Sequence, residues 1–123
     1  MNEKGHRFSA VEVCYPVTVL TADGNLEGET RLINSKGALI RCQRPPRLYE
    51  RATISIDISE RETLIAEAEV VRLEFYESDE NQVMAPRGMV VRFTNLSNLG
   101  RQRLRNVIAK HYEKKVKRLT AKN

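Results

Sequence analysis

Between Val11 and Val19 the chain alternates without a miss. Val11, Val13, Tyr15, Val17 and Val19 fall on one side, and Glu12, Cys14, Pro16 and Thr18 on the other. A repeat of two is the period of a half-buried β-strand. Pro16 lies on the polar side and has no N–H for a ladder, which predicts an edge strand or a bulge at that point. Alternation returns at Ile54, Ile56 and Ile58, and further strand-like runs extend from Glu27 to Ile33, Gly37 to Cys42, Leu64 to Tyr76 and Arg87 to Thr94. Turn residues punctuate them: Ala22-Asp23-Gly24-Asn25 follows the first run, and Asn34-Ser35-Lys36-Gly37 separates the second from the third. Gln43-Arg44-Pro45-Pro46-Arg47 cannot continue a ladder and reads as a connecting loop. Residues 1–9 read as a polar extended arm, and Glu77 to Pro86 as an acidic, mobile excursion between strands.

After Asn95 the period lengthens. Leu104, Val107, Ile108, His111 or Tyr112, Val116 and Leu119 recur at steps of three and four, which predicts an amphipathic helix from about Leu99 to Leu119 with Ser97 or Asn98 as its N-cap. Six short strands followed by one helix predict a mainly β fold. The expected architecture is a small six-stranded antiparallel barrel with a C-terminal α-helix packed outside it or across one end. The expected organisation is one domain: an arm over residues 1–10, a barrel over 11–96, the helix over 97–119 and a tail over 120–123. At 123 residues the chain buries enough surface to fold without a disulfide or a metal.

Charge changes this picture only at one end. The net charge is +5, yet the segment from Gly100 to Asn123 holds nine basic residues and one acidic, leaving the first 99 residues with twelve basic against fifteen acidic. The basic character therefore belongs to the terminal segment and not to the barrel, which argues against nucleic acid as the barrel's ligand. Tryptophan is absent and only seven residues are Phe or Tyr, which also argues against base stacking on the barrel. Candidate chemistry is sparse. Cys14 and Cys42 lack any Cys-x-x-Cys partner, and His6 and His111 stand in no metal-spaced or triad-like context. No catalytic residue, metal ligand or cofactor is expected. The chain shows no apolar run of membrane-spanning length and no signal peptide, so a soluble cytoplasmic protein is the expectation.

The order of elements, together with four stretches of sequence, resembles the PilZ domain family over about His6 to Tyr112. The stretches are His6-Arg7-Phe8-Ser9-Ala10-Val11-Glu12-Val13, Asn34-Ser35-Lys36-Gly37-Ala38-Leu39-Ile40, Glu69-Val70-Val71-Arg72, and Gly88 through Leu96. The resemblance implies a bacterial receptor or adaptor of cyclic di-GMP signalling. It also implies a ligand pocket built from an Arg-x-x-x-Arg element in the arm and an Asp/Asn-x-Ser-x-x-Gly element on a strand turn. A dianionic dinucleotide rewards planar, bidentate arginine. In this chain the two arginine slots hold His6 and Ala10. The turn element, aligned on Gly37, places Leu32 and Asn34 in the acid/amide and serine slots; aligned on Ser35, it places Ile33 and Ala38 on either side of the serine.

Each lost charge-assisted hydrogen bond costs ~1.5–3 kcal/mol, roughly one to two decades of affinity. The expected function is therefore a PilZ-like adaptor that acts by protein–protein interaction, with nucleotide binding weak or lost. The residues available to cyclic di-GMP would be Lys4, His6, Arg7, Asn34, Ser35, Gly37 and Arg41. Two alternatives stand beside this reading: a working receptor that uses those non-standard arm residues, and a small basic barrel that binds nucleic acid through its Lys114–Arg118 run. Tyr112, Val116 and Leu119, towards the far end of the helix, are candidates for contact with a protein partner or a second copy.

Overall fold

The structure is a computed structural model that describes residues 10–76 and 85–121. It contains seven strands and one helix: β1 (Val11–Glu12), β2 (Pro16–Thr21), β3 (Gly24–Ile33), β4 (Gly37–Cys42), β5 (Arg51–Asp57), β6 (Thr63–Tyr76), β7 (Ala85–Leu96) and α1 (Asn98–Ala121). The strands neighbour one another in the order β3-β2-β5-β6-β7-β4, and β4 returns to pair with β3. All these pairings are antiparallel, so the sheet closes into a six-stranded barrel, with β1 as one extra strand beside β3. The alternation seen in the sequence gives the barrel its inside: Val17, Val19, Ile40, Ile54, Ile56 and Met89 are at most 1% exposed.

The first predicted strand is two strands. It breaks at residues 13–15, immediately before Pro16, which then occupies the first position of β2 where its missing N–H costs nothing. Thr30 fills the break. Its hydroxyl donates to the Val13 carbonyl at 2.6 Å and accepts from the Tyr15 N–H at 2.9 Å, and its own N–H donates to the Tyr15 carbonyl at 2.9 Å. Thr30 is itself fully buried, so these bonds satisfy polar groups that water does not reach.

Other boundaries differ from expectation too, with β7 running on to Leu96 past Thr94 and α1 to Ala121 past Leu119. β3 begins at Gly24, three residues early, because Ala22 and Asp23 alone make the turn and Gly24 takes the positive φ of +128° that closes it. β7 begins at Ala85, so Ala85 and Pro86, expected in the excursion, are paired with Tyr76 and Phe75 of β6. The rest of that excursion and the arm over residues 1–9 lie outside the described residues.

Ser97 is the N-cap of α1: its hydroxyl accepts from the Gly100 N–H at 3.0 Å. The helix packs against β6 and β7, burying Leu104 and Val107 in the barrel's core cluster beside Leu96. Arg103 ties it down by donating from Nη1 to the Thr63 carbonyl at 2.5 Å. The helix therefore closes the barrel end where β6 begins and β7 finishes. Twenty-four residues span ~36 Å, so α1 extends well past these anchors, and Tyr112 is 45% exposed.

At the opposite end the wall is uneven. β4 has six residues between neighbours of ten and twelve. Its last pairings are Cys42 with Gly28 and Arg41 with Gly88. Beyond them, Asn25, Leu26 and Glu27 pair with β2 and Ala85 and Pro86 with β6, but neither stretch pairs with β4. The chain leaves through the Pro-Pro loop, which is pinned to β6 by Tyr49 N–H to Val70 carbonyl (2.7 Å) and Val70 N–H to Glu50 carbonyl (3.0 Å).

Candidate functional site

The turn between β3 and β4 is held by its own residues. The Asn34 side-chain carbonyl accepts from the N–H groups of Lys36 and Gly37 at 2.8 and 2.9 Å, and the Asn34 N–H donates to the Gly37 carbonyl at 2.9 Å. This is an Asx turn, the commonest use of asparagine at such a position. Gly37 is required for packing: a Cβ there would run into the Val91 carbonyl of the neighbouring strand β7. Ser35 stands exposed at the tip. Lys36 bonds β7 through its carbonyl, which accepts from the Phe93 N–H at 2.8 Å.

Beside the turn, on the outer face, lies a groove of about 490 Å³ lined by Glu12, Val13, Cys14, Arg31, Leu32, Leu39 and Arg41. A register shift between Thr30 and Leu32 makes it. The extra residue puts Arg31 on the surface and turns Leu32 outward, next to its partner Leu39, while Ile33 returns to the core at 1% exposure. The floor is apolar and two guanidinium groups, Arg31 and Arg41, stand over it. Cys14 donates its thiol to Glu29, and this bond, with some burial and the nearby negative charge, raises its pKa above the ordinary thiol value, with Arg31 pulling the other way.

The structure brings Asn34, Ser35 and Gly37 together at the turn and places Arg41 in the groove, four residues, or ~13 Å, along β4 from Gly37. Lys4, His6 and Arg7 lie outside the described residues. The first described strand begins at Val11, which pairs with Ile33 at the turn's end of the barrel. The backbone of α1 at Val116 and Leu119 is helical; their side chains lie outside the described residues. Sequence reading missed Arg31. Only the register shift brings it to the groove, and a bulge leaves no mark in a strand of mixed polarity.

A larger open groove, about 1020 Å³, sits at the uneven end of the wall. Among its lining residues are Leu26, Glu27, Glu29, Arg41, Arg44 and Arg87. Among the described residues, no group of three or more His, Cys, Asp or Glu is placed to hold a metal ion. No helix among them is long and apolar enough to cross a membrane. Concavity, apolar floor and arginine are what this surface offers, the equipment of a binding module.

The family model for the PilZ domain matches residues 2–110, and the chain belongs to that family. The fold is similar to the solved PilZ domain with c-di-GMP of YcgR from Escherichia coli, at 13% identity and a TM-score of 0.71 over 93% of this chain and 96% of that one. It is similar also to the Bacillus subtilis inhibitor of motility MotI/DgrA (14% identity, TM-score 0.64, 90% of this chain), of whose chain it spans about half, 52%. A third likeness is to the PilZ domain of CeSA from a cellulose-synthesizing bacterium (19% identity, TM-score 0.58, 83% of this chain and 96% of that one). A search of curated protein sequences gives no match.

Proposed function

We propose that this chain is a cytoplasmic PilZ adaptor of cyclic di-GMP signalling that acts by binding another protein and holds the nucleotide weakly. The observation that carries the reading is the identity of the side chains around the turn. Of the two positions that an acid or amide would occupy, Leu32 is part of an apolar floor and Ile33 is in the core. The Asn34 carbonyl is already engaged by Lys36 and Gly37. What remains for a dianion is Arg31 and Arg41 at the rim, with Lys4, His6 and Arg7 of the arm from the sequence. Two guanidinium groups supply charge, and the carboxylate lining that groove, Glu12, stands on β1 and not on the turn, where no free amide carbonyl is left to read a guanine edge.

The test is titration calorimetry of the intact protein with cyclic di-GMP. Affinity weaker than ~100 µM is expected, and the double variant His6→Arg/Ala10→Arg should tighten it by roughly tenfold or more per arginine. Micromolar heat in the unaltered chain, abolished by Arg7→Ala, would establish a working receptor instead.

A further inference from the structure

Resting on the adaptor reading, we infer that the notch where β4 stops short is a docking site for an extended, acidic and apolar segment of the partner protein, which adds as a strand to the edge of β3. Backbone is the first reason. Asn25, Leu26 and Glu27 pair with β2 and not with β4, so this side of β3 carries no paired strand in an otherwise closed wall, and Arg44, Pro45 and Pro46 of the connecting loop border it at Asn25 and Leu26. Open strand edges recruit extended peptides because the ladder of N–H and C=O groups is already in place. The opposite lip is less suited, since Pro86 of β7 has no N–H to give. The incoming strand therefore pairs with β3.

Side chains supply the second reason. The notch opens into the 1020 Å³ groove, whose floor carries half-buried Leu26 and buried Cys42. A strand laid there points alternate side chains towards this floor and the others outward. The inward positions call for small apolar groups. The outward positions meet Arg44 and Arg87, together with Glu27 on the β3 side; Glu29 and Arg41 face each other across the β3–β4 pair and Glu29 also accepts from Cys14. The excess is positive on the side away from β3, which selects an acidic segment. It disfavours the chain's own arm, whose charged residues before Ala10 are Glu3, Lys4 and Arg7.

The probe is a fluorescein-labelled ten-residue peptide alternating valine and glutamate, titrated against the full-length protein by fluorescence anisotropy. Binding in the tens of micromolar is expected. Replacing the glutamates by lysine should weaken it at least tenfold, and so should N-methylation of alternate peptide bonds, which removes the ladder donors and keeps the charge. Arg44→Glu/Arg87→Glu should weaken it similarly, whereas Arg61→Glu, on the β5–β6 turn, should not. Equal binding by the N-methylated peptide would overturn the proposal by showing charge attraction alone. A tenfold gain on replacing residues 77–84 by a Gly-Ser linker would also overturn it, since the chain's own acidic segment would then be the occupant. Either failure leaves the nucleotide calorimetry unaffected, so the notch and the adaptor reading fail separately.

Discussion

Asn34 and Gly37 show how a residue type can point to two chemistries. In the sequence both suit a ligand lip, because one offers an amide and the other a bare backbone. In the structure the amide carbonyl closes its own turn and the bare backbone accommodates the Val91 carbonyl. The two thiols divide in the same way. Cys42 is 4% exposed and burial pushes its pKa up to about 11, while Cys14 is exposed and bonded to Glu29. The folded protein therefore keeps the Cys42 proton over a range where the unfolded chain, with an ordinary thiol near 9, gives it up. The native state is then disfavoured progressively as pH rises from 9 to 11, and urea midpoints should fall over that window. Burial raises Tyr15 too and adds to the fall above pH 10. Cys42→Ala should make the fall between pH 9 and 11 shallower, with the contributions of Cys14 and Tyr15 remaining; an unchanged slope would refute the assignment.

At the scale of elements, the strands and the helix were legible because their periods differ and neither is interrupted by competing signals. Ser97 was legible as a cap for the same reason, being the last hydroxyl before the period of 3.6. The break between β1 and β2 was not. The alternation from Val11 to Val19 runs straight across it, and only Pro16 hinted at an irregularity. What sets the break is Thr30, fifteen positions further on than Tyr15, through bonds that local sequence does not encode. Thr30→Val keeps the shape and removes the hydroxyl, leaving the Tyr15 N–H and Val13 carbonyl without this partner. The expected loss is roughly 2–4 kcal/mol by chemical denaturation, much of it recovered in Thr30→Ser. A loss below ~0.5 kcal/mol would mean that the break is set by Pro16 instead. The unequal lengths of β3, β4 and β7 were equally hidden, since a strand's end is fixed by what its neighbours do.

For the whole molecule, the barrel is two hairpin runs, β2-β3-β4 and β5-β6-β7, joined along two seams. β2 with β3, β3 with β4, β5 with β6 and β6 with β7 follow one another in the chain, whereas β2 meets β5 across about 35 residues, Val19 against Ile54, and β4 meets β7 across about fifty, Ala38 against Val91. Gly37 sits in the β4–β7 seam, opposite Arg92. Pairings of large sequence separation repay their loop-closure entropy late, so this seam is expected to form after the folding barrier has been crossed. An obstruction placed there acts mainly on escape from the native state. Gly37→Ala should cost about 2 kcal/mol or more at equilibrium, as overpacking against fixed backbone does. In a stopped-flow chevron the loss should appear as faster unfolding with a nearly unaltered refolding limb; slower refolding would place the seam in the nucleus. A residue that reads as part of a binding lip thus governs how long the barrel stays shut.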